Sequence, residues 1–160
     1  MKMLKYLRLS GLLNNWDKYL DDAKQGNFSN VRLLKHIIEQ EYNMKRENSR
    51  KIRLSRAKIP EKYIMDTFPF SQQPKIKKKD IINLYDRFDY MTKSQNIIWL
   101  GPTGAGKTGL ATAFLINAIN CGYNGRFILF PELIEILYQS LADHSDEKII
   151  KMFASTDTLL

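Results

Sequence analysis

Eight consecutive residues carry the chemistry that is easiest to read: Gly101-Pro102-Thr103-Gly104-Ala105-Gly106-Lys107-Thr108. Glycine, four residues, then Gly-Lys-Thr is the pattern of a loop that cradles a nucleotide's phosphates. The residue types suit that task. Glycines let the backbone turn so that successive N–H groups converge on a cavity of anion size. Lys107 sets a compact positive charge against the outer phosphates. The Thr108 hydroxyl is an oxygen ligand of the kind Mg²⁺ prefers. A helix beginning here adds the positive end of its dipole. All eight residues are therefore candidate nucleotide-binding positions, with Thr108 also a candidate Mg²⁺ ligand.

The neighbouring elements fit this reading. Asn96-Ile97-Ile98-Trp99-Leu100 is a short apolar run that reads as a buried parallel strand. After the loop, Leu110, Ala111, Phe114, Leu115, Ala118 and Ile119 recur at helical spacing. Strand, loop and helix in that order are the context the motif requires. A Gly-rich turn arising by chance would match every fixed position in well under ~1% of chains of this length.

The 160 residues suffice for one good core with a small appended region. No apolar run approaches the ~20 residues of a membrane span, and charges interrupt the first eight residues too often for a signal peptide. A cytoplasmic protein is the expectation. Cys121 is the only cysteine, which excludes a disulfide framework, and it reads as a small buried hydrophobe. His36 and His144 stand alone, and no catalytic residue is assigned.

The net charge of +8 is unevenly spread. Residues 1–95 hold 21 Lys/Arg and 11 Asp/Glu, a balance of +10, and residues 96–160 hold 4 and 6, a balance of −2. The basic character belongs to the segment before the loop, which points to an anionic partner, nucleic acid first. Lys45, Arg46, Arg50, Lys51, Arg53, Arg56 and Lys58 crowd into fourteen residues against a single Glu47. Arg46, Arg50 and Arg53 share a helix face at i, i+4 and i+7. Like charges so spaced weaken a helix unless something offsets them, and DNA phosphates would. Few Asn or Gln accompany them, so backbone contact is expected more than sequence readout. A solvated basic face is the plainer alternative.

Leu12, Leu13, Trp16, Tyr19, Leu20 and Ala23 make one stripe, so a first helix is expected up to Gln25, ended by Gly26-Asn27. A second helix, capped by Ser29, is expected to bury Val31, Leu34, Ile37, Ile38 and Tyr42 and to run to about Ala57. Residues 1–58 then form a basic helical region and residues 59–79 a connector with Pro60, Pro69, Pro74 and Lys75-Ile76-Lys77-Lys78-Lys79. Phe68-Pro69-Phe70 is apolar enough to dock on the unit C-terminal to it. Residues 80–160 form an α/β unit. Its expected elements are a helix from Asp80 through Met91, the strand 96–100, the loop and its helix, and a strand over 126–130. Then come a helix opened by Pro131, a helix after Ser145 with Ile149, Ile150 and Phe153 inward, and a strand beginning at Asp157.

In this order the features resemble the IstB-like ATP-binding proteins, helper ATPases of insertion-sequence transposition. Leu7-Arg8-Leu9-Ser10-Gly11 is similar to that family's start, and Arg46-Glu47-Asn48-Ser49-Arg50 to its arginine-rich segment. Phe68 and Phe70 match its paired aromatics. Trp99 through Ala111 is similar to its phosphate loop and the residues after it, and Asn120-Cys121-Gly122-Tyr123 leads to a strand as in the family. The resemblance implies a P-loop NTPase of the AAA+ type preceded by a helical region, with ATP and Mg²⁺ as cofactors. It implies binding to DNA with little sequence preference, a homo-oligomer, and a transposase of the same element as partner. Helicase loaders of the DnaC type are relatives, so a loader-like role in replication and a non-enzymatic DNA-binding fragment are the alternatives.

The resemblance also implies an Asp-Glu pair after a strand like Thr156-Asp157-Thr158-Leu159-Leu160, and later a sensor residue and an arginine finger. None of these occurs within the 160 residues. Catalysis of phosphoryl transfer is positioning plus charge stabilisation, so little or no hydrolysis is expected. In the family's sheet the strands at 96–100 and 126–130 are not neighbours. A chain truncated at Leu160 is therefore expected to leave 96–100 without lateral partners and to carry an incomplete parallel sheet.

Overall fold

The stripe expected to make one helix is split between the last two of the three helices that the computed structural model, which describes residues 1–73 and 76–160, forms up to Gln25. The three are α1 (Lys2–Tyr6), α2 (Ser10–Asn14) and α3 (Trp16–Gln25). The breaks fall at Arg8, with a left-handed φ of 55°, and at Asn15, with φ −123° and ψ 23°. The Gly26-Asn27 stop forms as expected, with Asn27 in the left-handed role at φ 46°. Phe28 N–H donates to Ala23 O at 2.9 Å and Asn27 N–H to Lys24 O at 3.3 Å, which satisfies two of the last carbonyls of α3. Ser29 then opens α4 (Asn30–Arg56): its Oγ accepts from Arg32 N–H at 3.3 Å.

The chain divides into two units, Met1–Lys51 and Ile52–Leu160. In the first, α4 turns a different face inward from the one expected. Val31, Leu34, Ile38 and Tyr42 are 79%, 60%, 58% and 61% exposed. Of the expected set Ile37 is covered, and Leu33, His36, Glu41 and Met44 are the other covered residues. Two contacts set this rotation. His36 lies edge-on between Tyr19, at 5.5 Å, and Phe28, at 5.7 Å. Glu41, only 6% exposed, accepts the Leu12 N–H of α2 at 3.0 Å through Oε2. Lys45 Nζ lies 3.8 Å from its other oxygen. Gly11 permits the approach, since a Cβ there would sit 2.7 Å from Glu41 Oε2.

The second unit is built round a helix near its middle. After 3₁₀ turns at Met65–Thr67 and Phe70–Gln72 come α5 (Lys78–Arg87), α6 (Asp89–Thr92) and α7 (Lys107–Asn120). Next in the chain are β1 (Gly125–Arg126), α8 (Phe130–Ala142), α9 (Asp146–Ala154) and β2 (Thr158–Leu159). The helix expected from Asp80 begins two residues earlier and is broken by Phe88, at φ 57°. Phe68 and Phe70 dock as expected. Phe68 joins Met65, Tyr90, Leu110, Ala113 and Phe114 in one cluster, against which Phe70 packs. A second cluster holds Ala57, Leu115 and Ile119, with Leu54, Phe127 and Leu160 against it. Pro131 lies in the first turn of α8. Ile149 and Phe153 of α9 are half-buried, and Ile150 is exposed. Pro74 and Lys75 of the expected connector lie outside the described residues.

The sheet among the described residues is one parallel pair, Gly125 opposite Thr158 and Arg126 opposite Leu159. The strand expected over 126–130 shortens because Phe127 N–H donates to Ala57 O at 2.8 Å and Phe130 already belongs to α8. Residues 96–100 form no strand: among the described residues none of their backbone groups has a backbone partner. Cys121 is exposed rather than buried, because it comes after the last turn of α7, past the covered Ala118 and Ile119. No helix of the described residues is long and apolar enough to cross a membrane.

The Glu41 contact yields a prediction. Glu41→Ala leaves the Leu12 N–H buried without an acceptor, a loss of about 1–3 kcal/mol. Amide exchange at Leu12 should accelerate by about ten- to a hundredfold, with a smaller change in Glu41→Gln, which keeps an acceptor oxygen. Equal exchange in the Ala variant and the parent would show that the contact does not hold α2.

Candidate nucleotide-binding site

The loop at residues 101–106 is bracketed by the unpaired segment 96–100 and the first turn of α7. Ala105 N–H closes a turn onto Pro102 O at 3.3 Å, and the first helical bond runs from Leu110 N–H to Gly106 O at 3.0 Å. The N–H groups of Lys107, Thr108 and Gly109 are left without an acceptor among the described residues. Three orphan donors on a fourteen-residue helix, with no side-chain cap, make an end suited to an anion.

Gly106 is the cap residue of α7, at φ 79° and ψ 12°. A side chain there would be strained by the backbone and blocked by its neighbour, because a Cβ would lie 2.7 Å from Phe68 Cζ. Tyr63 lies against Gly109 in the same way, with ring carbons 3.4–3.6 Å from where a Cβ would be. Gln73 Nε2 donates to Gly104 O at 3.2 Å. The connector therefore contacts the loop at its tip, its end and the turn beyond. The sequence marks Phe68-Pro69-Phe70 as docking; its target could have been inferred from Gly106 and Gly109, the positions where an aromatic ring meets no Cβ. Gln73 carries no comparable signal.

Lys107 folds back on the loop, and its Nζ donates to Gly101 O at 2.9 Å and Pro102 O at 2.7 Å. The charge sits where the loop carbonyls converge, within reach of an incoming oxyanion. Thr108 is exposed at the first turn, and its hydroxyl makes no hydrogen bond among the described residues. The fully buried Thr112 donates to Thr108 O at 2.8 Å, which ties the first turn to the next. Three free N–H donors, an ammonium and a free hydroxyl form a donor set that fits a phosphate chain carrying a hard cation.

The basic residues on and after α4 differ in what they already hold. In the first unit, Arg50 forms a forked pair with Glu47, with Nε and one terminal nitrogen each 2.7 Å from its carboxylate oxygens. The pair holds the Glu47 carboxyl below its usual range and raises Arg50. Glu47 thus supplies part of the offset that the crowding of cations requires. Lys45 leans toward Glu41, and Arg46 and Lys51 have no ion pair among the described residues. In the second unit, among the described residues, Arg53 is half-buried with its Nε unpartnered, Lys58 lies 3.7 Å from Glu132, and Arg56 is exposed without an ion pair.

Known proteins resemble this sequence along nearly its whole length. The family model described as IstB-like ATP binding protein matches residues 2–160. The chain is 29% identical over 154 residues to a protein of Geobacillus stearothermophilus named for ATP binding in insertion sequence IS5376, covering 96% of this chain and 61% of that one. It is 26% identical to the corresponding IS21 protein of Pseudomonas aeruginosa, over 99% of this chain and 59% of the relative. It is likewise 26% identical to that of IS232 in Bacillus thuringiensis subsp. berliner, over 98% and 62%. The chain thus spans about three fifths of the length of these relatives. A match that runs from the second residue to the last, through the phosphate loop and both units, makes this chain a member of the IstB-like ATP-binding protein family.

Proposed function

We propose that this chain binds ATP at residues 101–108 and DNA through the cations of residues 45–58, as a cytoplasmic helper of an insertion-sequence transposase. The observation that carries the nucleotide part is the orphan N–H cluster of α7 beside Lys107. The γ- and β-phosphates would take those donors, and Lys107 would exchange its two carbonyls for phosphate oxygens. Mg²⁺ would arrive with the nucleotide and add the Thr108 hydroxyl as a ligand.

The DNA reading rests on charge and on which cations are uncommitted. Arg46, Lys51 and Arg56 have no ion pair among the described residues and are exposed, so phosphates would be their first partners. Arg50 would have to exchange Glu47 for a phosphate. A transposase and further copies of the chain are the proposed protein partners, as the family resemblance implies. The loader-like reading draws on a different observation: the exposed stripe of Val31, Leu34, Ile38 and Tyr42 is a surface for a protein.

Two measurements test the proposal. Lys107→Ala should weaken binding of a fluorescent ATP analogue by about ten- to a hundredfold, the loss of one charge-assisted contact set. Unchanged affinity would remove the loop from the site. The triple variant Arg46→Ala, Lys51→Ala, Arg56→Ala should weaken binding to unrelated DNA duplexes equally. It should also lower the slope of log affinity against log salt by about 3, near 0.9 for each lost phosphate contact. Arg50→Ala should have a smaller effect than any of the three. A slope unchanged in the triple variant would refute the assignment.

A further inference from the structure

The tip of the phosphate loop is its least supported part. A Cβ added at Gly104 would meet nothing within 4 Å, so no side chain packs over it. At Gly101 the nearest atoms belong to Ala105 and Lys107, members of the same loop. The far end is held differently, with the Phe68 ring closed on Gly106 and the Tyr63 ring on Gly109. Such rings fix where a backbone lies. They do not fix which way a peptide plane faces, because contact between apolar atoms has no direction.

Direction matters at the tip. Gly104 has a φ of 80°, a conformation that glycine adopts at little cost. A glycine peptide with nothing packed about it can turn over, and turning exchanges its N–H for its C=O. That swap would show an incoming anion a carbonyl oxygen in place of a donor. The peptide between Gly104 and Ala105 is restrained at both polar ends. Ala105 N–H donates to Pro102 O at 3.3 Å, and Gly104 O accepts from Gln73 Nε2 at 3.2 Å. The first bond is made within the loop. The second comes from the connector, and among the described residues it is the one hydrogen bond that reaches residues 101–105 from outside the loop. Both are linked to the lysine, because Pro102 O also accepts from Lys107 Nζ at 2.7 Å. When Lys107 leaves that oxygen for phosphate, Pro102 O keeps the longer bond from Ala105, and the Gln73 end carries more of the restraint.

We propose that Gln73 is a positioning residue of the nucleotide site: its side-chain amide holds the Gly104 carbonyl toward the connector and so presets the loop tip for phosphate. Gln73 acts through the loop and touches no part of the nucleotide. An amide suits the task, since it donates without a charge. A carboxylate there would repel phosphate, and an ammonium would compete with the loop for it. The consequence for affinity rests on the nucleotide reading; the orientation of the peptide does not.

The test uses the full isotope-labelled chain, with and without a fluorescent ATP analogue. Gln73→Met keeps the side chain's length and removes the donor. Without nucleotide, the carbonyl-carbon resonance of Gly104 should move upfield in this variant, with unchanged α7 resonances as the check on folding. With the analogue, affinity should fall by about three- to tenfold, the effect of one neutral hydrogen bond. Gln73→Glu gives a second readout. Its carboxylate cannot donate, so at about pH 7.5 its loss should equal or exceed that of Gln73→Met. At about pH 4.5, near the ordinary carboxyl range, the protonated form regains an O–H donor, and affinity should rise above that of Gln73→Met at the same pH. Relief of repulsion alone would bring the two variants level and no further. The proposal is overturned if the Gly104 resonance stays in place in Gln73→Met, if that variant binds the analogue as tightly as the parent, or if acidified Gln73→Glu stops at the level of Gln73→Met. A parent that binds no analogue refutes the nucleotide reading instead, and the Gly104 resonance then decides the positioning role alone.

Discussion

Everything in the second unit is referred to α7. Nine of its fourteen residues are buried, and most are small: Gly109, Ala111, Thr112, Ala113 and Ala118 among them. A helix apolar on nearly all sides has no free face on which to turn or slide. It contributes Leu110, Ala113 and Phe114 to one cluster and Leu115 and Ile119 to the other, so neither cluster can form without it. The phosphate loop is the N-terminal extension of this clamped helix. An anion site needs donors that do not move when charge arrives, and burial of α7 provides that rigidity at a place where the loop itself is exposed.

The first unit is held by a different kind of contact. Its three short helices and α4 meet through polar and aromatic specifics: a carboxylate on a backbone N–H, and a histidine between two aromatic edges. Such contacts choose one rotation of α4 among several that hydrophobic spacing permits. This is why the covered face was not legible in the sequence. Val31, Leu34, Ile38 and Tyr42 form a helical stripe as regular as Leu33, Ile37 and Met44 do, and periodicity reports that a stripe exists without saying which stripe is covered. The residue that decides, Glu41, reads in the sequence as one more surface charge. His36, read as a lone residue without partners, proves to be the other anchor.

The helix after the loop and the docking of Phe68 and Phe70 were legible because each depends on local residue types. The strands were less so. Residues 96–100 and 126–130 both read as apolar runs of strand length, yet a strand exists only where a neighbour supplies hydrogen bonds. Residues 126–130 pair for a single residue of β1, then divide their bonds between Ala57 and Leu160 before α8 begins. Residues 96–100 have the composition of a strand and, among the described residues, no partner. The crowding of cations on α4 was also read incompletely: Glu47 looks outnumbered in the sequence, but its forked pair with Arg50 takes one of the cations into a local neutral unit.

Lys107, hydrogen-bonded to two carbonyls of its own loop, has a bearing on what the loop can select. Its ammonium already holds two acceptors, so an incoming ligand does not simply add to it. On the proposed reading, binding would be an exchange, in which two carbonyl dipoles are released and oxyanion charge takes their place. A weakly charged anion gains little from that trade, because it replaces two good acceptors with one diffuse one. A chain of phosphates gains much, since several oxygens can meet the lysine and the α7 N–H groups together. On the proposed reading, the loop's own backbone would act as a resident competitor that sets a threshold of charge density against simple anions.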